Sequence, residues 1–364
     1  MAPGDSKLLL SDIVSHSDKV PSKYIRPTSD RPDLSNVVNS SLNSIPIIDL
    51  EGLGGSDHQN IINAIRSACT NDGFFMIINH GIPKAVIEGM LSVGREFFHL
   101  PQSERMKMYS DDPTKANRLS TSFNVRTENV SNWRDFLRLH CYPLEKFIHE
   151  WPANPSDFRK VVGEYSRHAR ELALRLLEAI SESLGLDKQH MVKAMGKHAQ
   201  HMAINYYPPC PQPELTYGLP GHKDPNAITI LLQDGVSGLQ LMRDGKWVAV
   251  NPVEDAFIIN IGDQMQALSN DRYKSVLHRV IVNNKSERIS IPTFYSPSPD
   301  AIIEPAKGLL DEDHPPVYRT FTYEEYFTTF WNKGLKSASC LDLFKQDQLF
   351  EIHETESHLN NNNN

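Results

Sequence analysis

The stretch of sequence that decides the fold is residues 220–250, PGHKDPNAITILLQDGVSGLQLMRDGKWVAV. Short runs rich in Ile, Val and Leu alternate here with Gly, Asp and Pro, a pattern typical of short strands separated by turns. The Asp244-Gly245 pair favours a tight hairpin turn between two of the runs. The pattern predicts strands at 227–233, 238–242 and 246–250.

The same pattern continues on both sides of this stretch. Further strands are predicted at 201–207, 256–261, 275–282 and 288–295. Many short strands at close spacing are typical of a sandwich or a jelly roll. The periodicity elsewhere predicts helices at 58–71, 83–99, 156–185 and 322–333, with short strands at 45–50 and 73–78. The chain is therefore expected to be mainly β with surrounding helices.

The sequence suggests four segments. We expect an N-terminal extension at 1–44, a helical N-terminal region at 45–195, a jelly-roll core at 196–335 and a C-terminal tail at 336–364. The tail ends in four asparagines, and we expect its end to be disordered. In the longest helix, Ser156-Asp157 is expected to cap the start and Gly185 to mark the end.

Composition excludes several classes of protein. The 364 residues are 39% hydrophobic and carry a net charge of −8, without a block of Lys and Arg, so neither nucleic acid nor an anionic membrane is an expected partner. The four cysteines are far apart, which favours reduced thiols. No apolar stretch reaches the roughly 18 residues of a membrane span, and no signal peptide or heptad repeat is evident. We expect a cytoplasmic protein that is a monomer.

Five residues in fixed order carry the chemistry. His222 and Asp224 are two apart, so they point to the same side of an extended segment, and His278 follows on a later predicted strand. Two imidazoles and one carboxylate form the facial triad that holds non-haem Fe(II) with open coordination positions. Arg288 and Ser290 are also two apart and offer a planar fork and a hydroxyl to the carboxylate of a co-substrate. The set predicts an oxygen-activating iron enzyme.

Two alternatives use the same residues. A zinc hydrolase can also hold its metal with two histidines and a carboxylate, but the Arg-x-Ser pair has no role there. A non-catalytic jelly roll that binds a small molecule has no need of open iron positions. Isolated fragments recur at 16–18 (His-Ser-Asp) and 118–120 (Arg-Leu-Ser), without the rest of the set. It is the ordered set that points to iron.

Longer motifs surround these five residues. They are Asn205-Tyr206-Tyr207-Pro208-Pro209-Cys210-Pro211, Gly221-His222-Lys223-Asp224, Leu277-His278-Arg279-Val280, Arg288-Ile289-Ser290, the IPIIDL at 45–50, Gly73-Phe74-Phe75 and Asn79-His80-Gly81. Over about residues 45–335 the chain resembles the plant 2-oxoglutarate- and Fe(II)-dependent dioxygenases. The resemblance implies a distorted double-stranded β-helix, a cupin-like jelly roll, with a helical N-terminal region.

The resemblance also implies a site. His222, Asp224 and His278 are expected to bind Fe(II), and no catalytic residue beyond them is expected. 2-Oxoglutarate is expected as co-substrate, with O2, and ascorbate is expected to support activity. The residues expected to contact 2-oxoglutarate are Arg288, Ser290, Tyr207 and Asn205. Lys223 stands where the family usually has Thr, and strand alternation points its side chain away from the metal.

Three segments narrow the resemblance further. RLSTSFNV at 118–125, NWRD at 132–135 and GLPGH at 218–222 resemble the downy-mildew-resistance-type dioxygenases. This implies hydroxylation of the aromatic ring of salicylic acid, to 2,5- or 2,3-dihydroxybenzoate, which lowers the level of a defence hormone. The alternative is a flavonoid dioxygenase of the flavone synthase or flavanone hydroxylase type. A small aromatic anion is expected to bind beside cations and aromatic rings. The candidate substrate-binding residues are Arg118, Arg126, Lys223, Phe123 and Phe294.

Overall fold

The computed structural model describes residues 9–14, 18–38, 45–126, 128–334 and 339–346. The predicted disorder of the last residues falls outside this part of the chain. The described strands are β1 Ile47–Asp49, β2 Phe74–Ile78, β3 Arg118–Thr121, β4 Asp135–Tyr142, β5 Ala199–Tyr207, β6 Leu219–His222, β7 Ile228–Gln233, β8 Leu239–Arg243, β9 Lys246–Ala249, β10 Phe257–Ile261, β11 His278–Val280, β12 Arg288–Ser296, β13 Ile302–Ile303 and β14 Phe321–Thr322.

Helices pack around these strands. They are α1 Leu10–Val14, α2 His58–Asn71, α3 Lys84–His99, α4 Gln102–Arg105, α5 Leu144–Phe147, α6 Phe158–Ser183, α7 His190–Ala194, α8 Asp263–Leu268 and α9 Tyr323–Lys333. Short 3-10 turns occur at Ser22–Tyr24, Thr28–Asp30, Met106–Met108, Ile148–Glu150, Pro213–Leu215, Lys307–Leu309 and Cys340–Phe344.

Two sheets build the jelly roll. The major sheet has eight strands in the order β1-β2-β10-β7-β12-β5-β4-β3, and the minor sheet has four in the order β6-β11-β8-β9. Only β1 and β2 pair in parallel among the described ladders, and the remaining pairs are antiparallel. This is the double-stranded β-helix that the resemblance to the dioxygenases implies.

Side chains alternate along the strands of the major sheet, so that one face of the sheet joins the apolar core and the other faces the candidate site. On β5, Met202 and Ile204 face the helices and join the large apolar core, so Ala203 and Asn205 face the interior of the roll. The long helix α6 covers the outer face, with a continuous buried stripe at Tyr165, Ala169, Leu172, Leu176 and Ala179. A smaller apolar cluster lies between the two sheets, at Phe74, Met76, Leu231, Leu239, Leu241 and Ile258.

Most predicted elements occur where the periodicity places them, and α2, α3, α6 and α9 lie within one to two residues of their predicted bounds. Asp244 and Gly245 form the hairpin turn between β8 and β9, with φ of 49° and 74°. Gly185, φ 77°, follows the end of α6. The predicted cap at its start is wrong in one respect: Asp157 is the N-cap residue, but its side chain makes no capping hydrogen bond.

The elements that were not predicted are the strands β3, β4, β6, β13 and β14 and the short helices α1, α4, α5, α7 and α8. Two of them extend the major sheet into the region expected to be helical, because β3 pairs with β4 and β4 with β5. The four cysteines are buried and unpaired. Within the described residues, no helix is both long and apolar enough to cross a membrane.

Candidate active site

The two histidines of the predicted triad come from neighbouring strands. His222 at the end of β6 is the direct partner of His278 at the start of β11, and Asp224 follows two residues after His222. Oδ1 of Asp224 lies 3.6 Å from Nε2 of each histidine. The three ligand-type atoms lie within 4.8 Å of one another, a spacing at which one metal ion can reach all three.

Backbone carbonyls fix which nitrogen each histidine presents. Nδ1 of His222 lies 2.9 Å from the carbonyl of Pro220, and Nδ1 of His278 lies 3.1 Å from that of Val276. Because a carbonyl only accepts, each Nδ1 must carry the proton and donate it, so the lone pair of each Nε2 faces Asp224. Burial lowers the pKa of His222 to about 3, with His278 adding to the effect, which keeps the ring neutral and able to ligate.

Two hydrogen bonds hold the carboxylate of Asp224 at the oxygen that does not face the histidines. Its Oδ2 accepts hydrogen bonds from the Thr229 hydroxyl at 2.5 Å and the Asn260 amide at 2.8 Å. Burial alone raises the pKa of Asp224, but His278, His222 and these two hydrogen bonds outweigh it, so the pKa lies below its ordinary value. The carboxylate is therefore ionised and oriented, with Oδ1 turned toward the histidines.

A second group of residues lies across β5 and β12. Ser290 pairs directly with Asn205, and Arg288 with Tyr207, so the four predicted co-substrate residues form two neighbouring cross-strand pairs. Asn205 donates to the Ser290 hydroxyl at 3.3 Å. The Arg288 guanidinium lies 5.2 Å from the centre of the Tyr207 ring. The strand register thus explains why residues more than eighty positions apart share one site.

Arg288 shows what this group is suited to bind. Its Nε donates to the Val236 carbonyl and its Nη2 to the Gln233 side chain, but its Nη1 is buried without a partner. No carboxylate pairs with it among the described residues. A buried guanidinium with one donor free is poorly satisfied until an anion arrives. The residues therefore fit the carboxylate of 2-oxoglutarate.

A small cavity of about 100 Å³ opens beside the triad and is called the inner cavity here. Its lining is Arg118, Phe123, Arg134, Phe136, Arg138, His201, Ala203, Leu219, His222, Asp224, Pro225, Asn226, Phe294, Phe327, Phe330 and Trp331. Two triad residues form part of its wall, and most of the rest are aromatic or basic. The composition suits an aromatic ring that carries a negative charge.

Three arginines enter this wall from β3 and the β4 segment. Arg134 donates to the Ser122 carbonyl and to the Asn205 amide oxygen, and Arg138 donates to the carbonyls of the 113–116 segment. Arg118 differs: it is 2% exposed, its Nε is buried without a partner, and its side chain makes no hydrogen bond or ion pair within the described residues. Burial, followed by the charge of Arg134, lowers the pKa of Arg118 to about 10, so it stays a cation at neutral pH.

Only some of the predicted substrate residues line the inner cavity. Arg118, Phe123 and Phe294 line the inner cavity. Arg126 does not: it is exposed and pairs with Asp111 at 3.2 Å. Lys223 also lies outside the lining.

Several residues that line the inner cavity were not predicted from the sequence, although side-chain alternation along β4 indicates two of them. Leu137, Leu139 and Cys141 alternate along β4 and face the core, which places Phe136 and Arg138 on the site face. Phe327 and Trp331 of α9 are four apart and therefore share a helix face. That this face covers the cavity is a matter of tertiary packing, which the spacing does not reveal.

A stacked pair of rings separates this cavity from a larger one. Phe123 and Trp331 lie face to face, with ring centres 4.8 Å apart and an interplanar angle of 10°. Both rings also line an outer cavity of about 730 Å³. The remaining lining of this outer cavity is Arg26, Asp30, Glu128, Asn129, Val130, Tyr217, Pro220, Gly221, Trp247, Arg279, Asn332, Lys333 and Gly334. The Phe123–Trp331 pair is therefore a partition between the inner site and the outer cavity.

Comparison with known proteins agrees with this geometry. The 2OG-Fe(II) oxygenase superfamily matches residues 198–297, and the family described as the N-terminal region of non-haem dioxygenase in morphine synthesis matches residues 45–154. The structure of JOX2 in complex with 2OG, Fe and JA superposes with a TM-score of 0.85 at 36% sequence identity, covering 94% of this chain and 98% of that one.

Individual relatives span nearly the whole chain. DMR6-like oxygenase 1 of Arabidopsis thaliana is 61% identical over 93% of this chain and 97% of its own length. Downy mildew resistance 6 of the same plant is 55% identical over 89% and 95%. Flavanone 3-dioxygenase 2 of Oryza sativa subsp. japonica is 54% identical over 90% and 95%. The chain therefore belongs to the plant 2-oxoglutarate- and Fe(II)-dependent oxygenases, with DMR6-type enzymes among its close homologues.

Proposed function

We propose that this dioxygenase hydroxylates the aromatic ring of salicylic acid, giving 2,5- or 2,3-dihydroxybenzoate. Fe(II) is held by His222, Asp224 and His278, and the distal carboxylate of 2-oxoglutarate lies on Arg288 and Ser290. Tyr207 and Asn205 line the co-substrate site beside that clamp. When bound, the iron and 2-oxoglutarate activate O2, so that one oxygen atom enters the ring and the other enters succinate, with release of CO2.

The residues of the chain position and shield this chemistry. The Pro220 and Val276 carbonyls hold the two imidazoles in the ligating tautomer, and Thr229 and Asn260 fix the carboxylate of Asp224. The aromatic wall excludes water from the reacting ring.

The observation that carries the proposal is Arg118. A guanidinium that is 2% exposed and forms no ion pair within the described residues is costly to keep charged. It lines the same cavity as His222 and Asp224, so a substrate carboxylate bound there would sit beside the iron. The Phe136 ring lies 5.3 Å from the Arg118 guanidinium and provides an apolar surface next to the charge. Salicylate offers both a carboxylate and a ring.

The size of the inner cavity argues against a three-ring substrate held wholly inside it. It measures about 100 Å³. For scale, an apolar cavity of about 150 Å³ admits benzene. A three-ring flavanone would need the Phe123–Trp331 partition to part, so that the ligand extends into the outer cavity.

The second candidate is a flavonoid dioxygenase, favoured by the 54% identity to a flavanone 3-dioxygenase. A flavanone has no carboxylate and leaves Arg118 unpaired. The test is to supply purified protein with Fe(II), ascorbate, 2-oxoglutarate and O2, and to offer salicylate and naringenin in parallel. Products are identified by mass spectrometry, with His222→Ala as the control.

A dihydroxybenzoate that His222→Ala does not form is the expected result, and its isomer gives the ring position. A flavonoid product with salicylate untouched would overturn the proposal in favour of the second candidate.

A further inference from the structure

One imidazole in the wall of the inner cavity has no part in the chemistry described so far. His201 lies on β5, two and four residues before Ala203 and Asn205, and therefore on the same face of the strand. It lines the cavity together with His222 and Arg118. Within the described residues its side chain makes no hydrogen bond and no ion pair, so its nitrogens are available to a ligand in the cavity.

Neighbouring rings fix the orientation of His201. Its direct cross-strand partners are His140 on β4 and Phe294 on β12. The His201 ring stacks on both, with ring centres 5.7 Å apart and an angle of 23° to His140, and 4.8 Å and 24° to Phe294. Because both faces of the imidazole are covered, a ligand can meet only its edge, which carries the two nitrogens.

The charge state of His201 gives it a role different from that of the arginines. Burial, aided by the neighbouring His140 and Arg138, lowers its pKa well below the ordinary value. The ring is then neutral at physiological pH and offers one N–H donor and one acceptor nitrogen. A guanidinium only donates, so the arginines can bind a carboxylate but cannot accept a hydrogen bond from a phenol. His201 adds that acceptor.

We propose that His201 is a specificity-determining residue that hydrogen-bonds the ring hydroxyl of an aromatic hydroxy-acid whose carboxylate lies on Arg118. This inference rests on the proposed function. Two attachment points fix the rotation of the ring about the axis through the carboxylate, whereas one leaves it free. The rotation decides which ring C–H lies nearest the iron, so His201 also governs which carbon is hydroxylated.

The test compares salicylate with benzoate, which has the carboxylate but no hydroxyl. Both acids are titrated calorimetrically, without O2, into the full-length protein loaded with Fe(II) and 2-oxoglutarate. Wild type is expected to bind salicylate about five- to tenfold more tightly than benzoate, the effect of one net hydrogen bond. His201→Phe keeps a ring in the stack and is expected to bring the ratio close to one by weakening salicylate alone.

Two further variants separate hydrogen bonding from packing. His201→Gln keeps a donor and an acceptor and is expected to retain part of the preference for salicylate. His140 belongs to the same stack but does not line the cavity, so His140→Phe should leave the ratio at the wild-type value. In turnover, His201→Phe should also shift the proportion of the 2,3 and 2,5 products.

The outcomes distinguish this inference from the proposed function. If His201→Phe keeps the full preference while wild type binds and hydroxylates salicylate, the role of His201 is overturned and the proposed function stands. If wild type binds neither acid, both are overturned.

Discussion

The Thr229 hydroxyl lies 2.5 Å from Oδ2 of Asp224 and donates to it, while Oδ1 of the same carboxylate faces the two histidines of the triad. Thr229 is on β7 of the major sheet, whereas His222 and His278 come from the minor sheet. The contact therefore links the two sheets through the proposed ligand set. Orientation of a ligand by such an outer contact is a common determinant of metal affinity.

Replacing Thr229 by Val should weaken Fe(II) binding, because the carboxylate loses the hydroxyl that fixes it. A loss of about 10- to 100-fold in affinity is expected, measured by anaerobic titration with Fe(II). Thr216→Val is the matched control, since Thr216 is also buried but its hydroxyl has no partner. Equal iron affinity in the two variants would contradict the role given to Thr229.

Arg288→Lys should raise the KM for 2-oxoglutarate by roughly 10- to 100-fold, the effect of losing hydrogen bonds to a charged group. Lysine keeps the charge but loses the planar fork whose free Nη1 is available to a carboxylate. The KM is measured from succinate formation at saturating substrate. Arg95→Lys, which alters the ion pairs of Arg95 with Glu287 and Asp234 outside the two cavities, serves as control. An unchanged KM in Arg288→Lys would remove Arg288 from the co-substrate site.

Arg118→Gln should raise the KM for salicylate by roughly 10- to 100-fold and leave the KM for 2-oxoglutarate unchanged. Arg126→Gln is the matched control, because Arg126 is exposed and already paired with Asp111, a kind of pair that contributes little. Without ligand, Arg118→Gln should be at least as stable to heat as wild type, since a buried unpaired cation is removed. If Arg126→Gln raised the KM for salicylate more than Arg118→Gln does, the substrate carboxylate would be assigned to Arg126 instead.

Trp331→Ala should increase the use of naringenin relative to salicylate. The substitution removes one ring of the Phe123–Trp331 stack and joins the inner and outer cavities, which gives a larger ligand room. The ratio of the two substrates consumed in competition is the measurement. Trp331→Phe keeps an aromatic ring at the partition and should stay near wild type. If Trp331→Ala leaves the ratio unchanged, the pair does not control access.

Gly262→Ala should destabilise the fold, because a Cβ at this position would lie 2.1 Å from the Asn226 carbonyl oxygen and 3.2 Å from that of Asp224. Backbone cannot move aside as a flexible side chain can, and the loss should be on the order of 3 kcal/mol. Denaturant unfolding provides the value. Gly235→Ala is the control, since a Cβ there meets nothing within 4 Å. Equal unfolding free energies would show that the Asp224–Asn226 segment is not tightly constrained.

The sequence predicted the site best where the functional residues are close to one another along the chain. His222 with Asp224, and Arg288 with Ser290, are two apart, so strand alternation alone puts each pair on one side. The β5–β12 register that sets Ser290 against Asn205 and Arg288 against Tyr207 is a property of the folded sheet. The sequence alone does not reveal this register, so Asn205 and Tyr207 were predicted only from the resemblance to the dioxygenase family.

The substrate wall was harder to predict, because several elements meet there. Arg138 reaches the site because β4 pairs with both β3 and β5. Arg118 and Arg126 look equivalent as sequence, yet one is 2% exposed and the other is exposed and paired. Trp331 reaches the cavity only through the docking of α9. Local pattern does not encode such packing.

A crystal structure of the protein with Fe(II), 2-oxoglutarate and salicylate, grown without O2, would show where the substrate carboxylate binds. Salicylate is expected in the inner cavity, with its carboxylate about 3 Å from the Arg118 guanidinium and its ring next to the metal held by His222, Asp224 and His278. A carboxylate bound elsewhere, in the outer cavity or directly on the iron with Arg118 still unpaired, would contradict it.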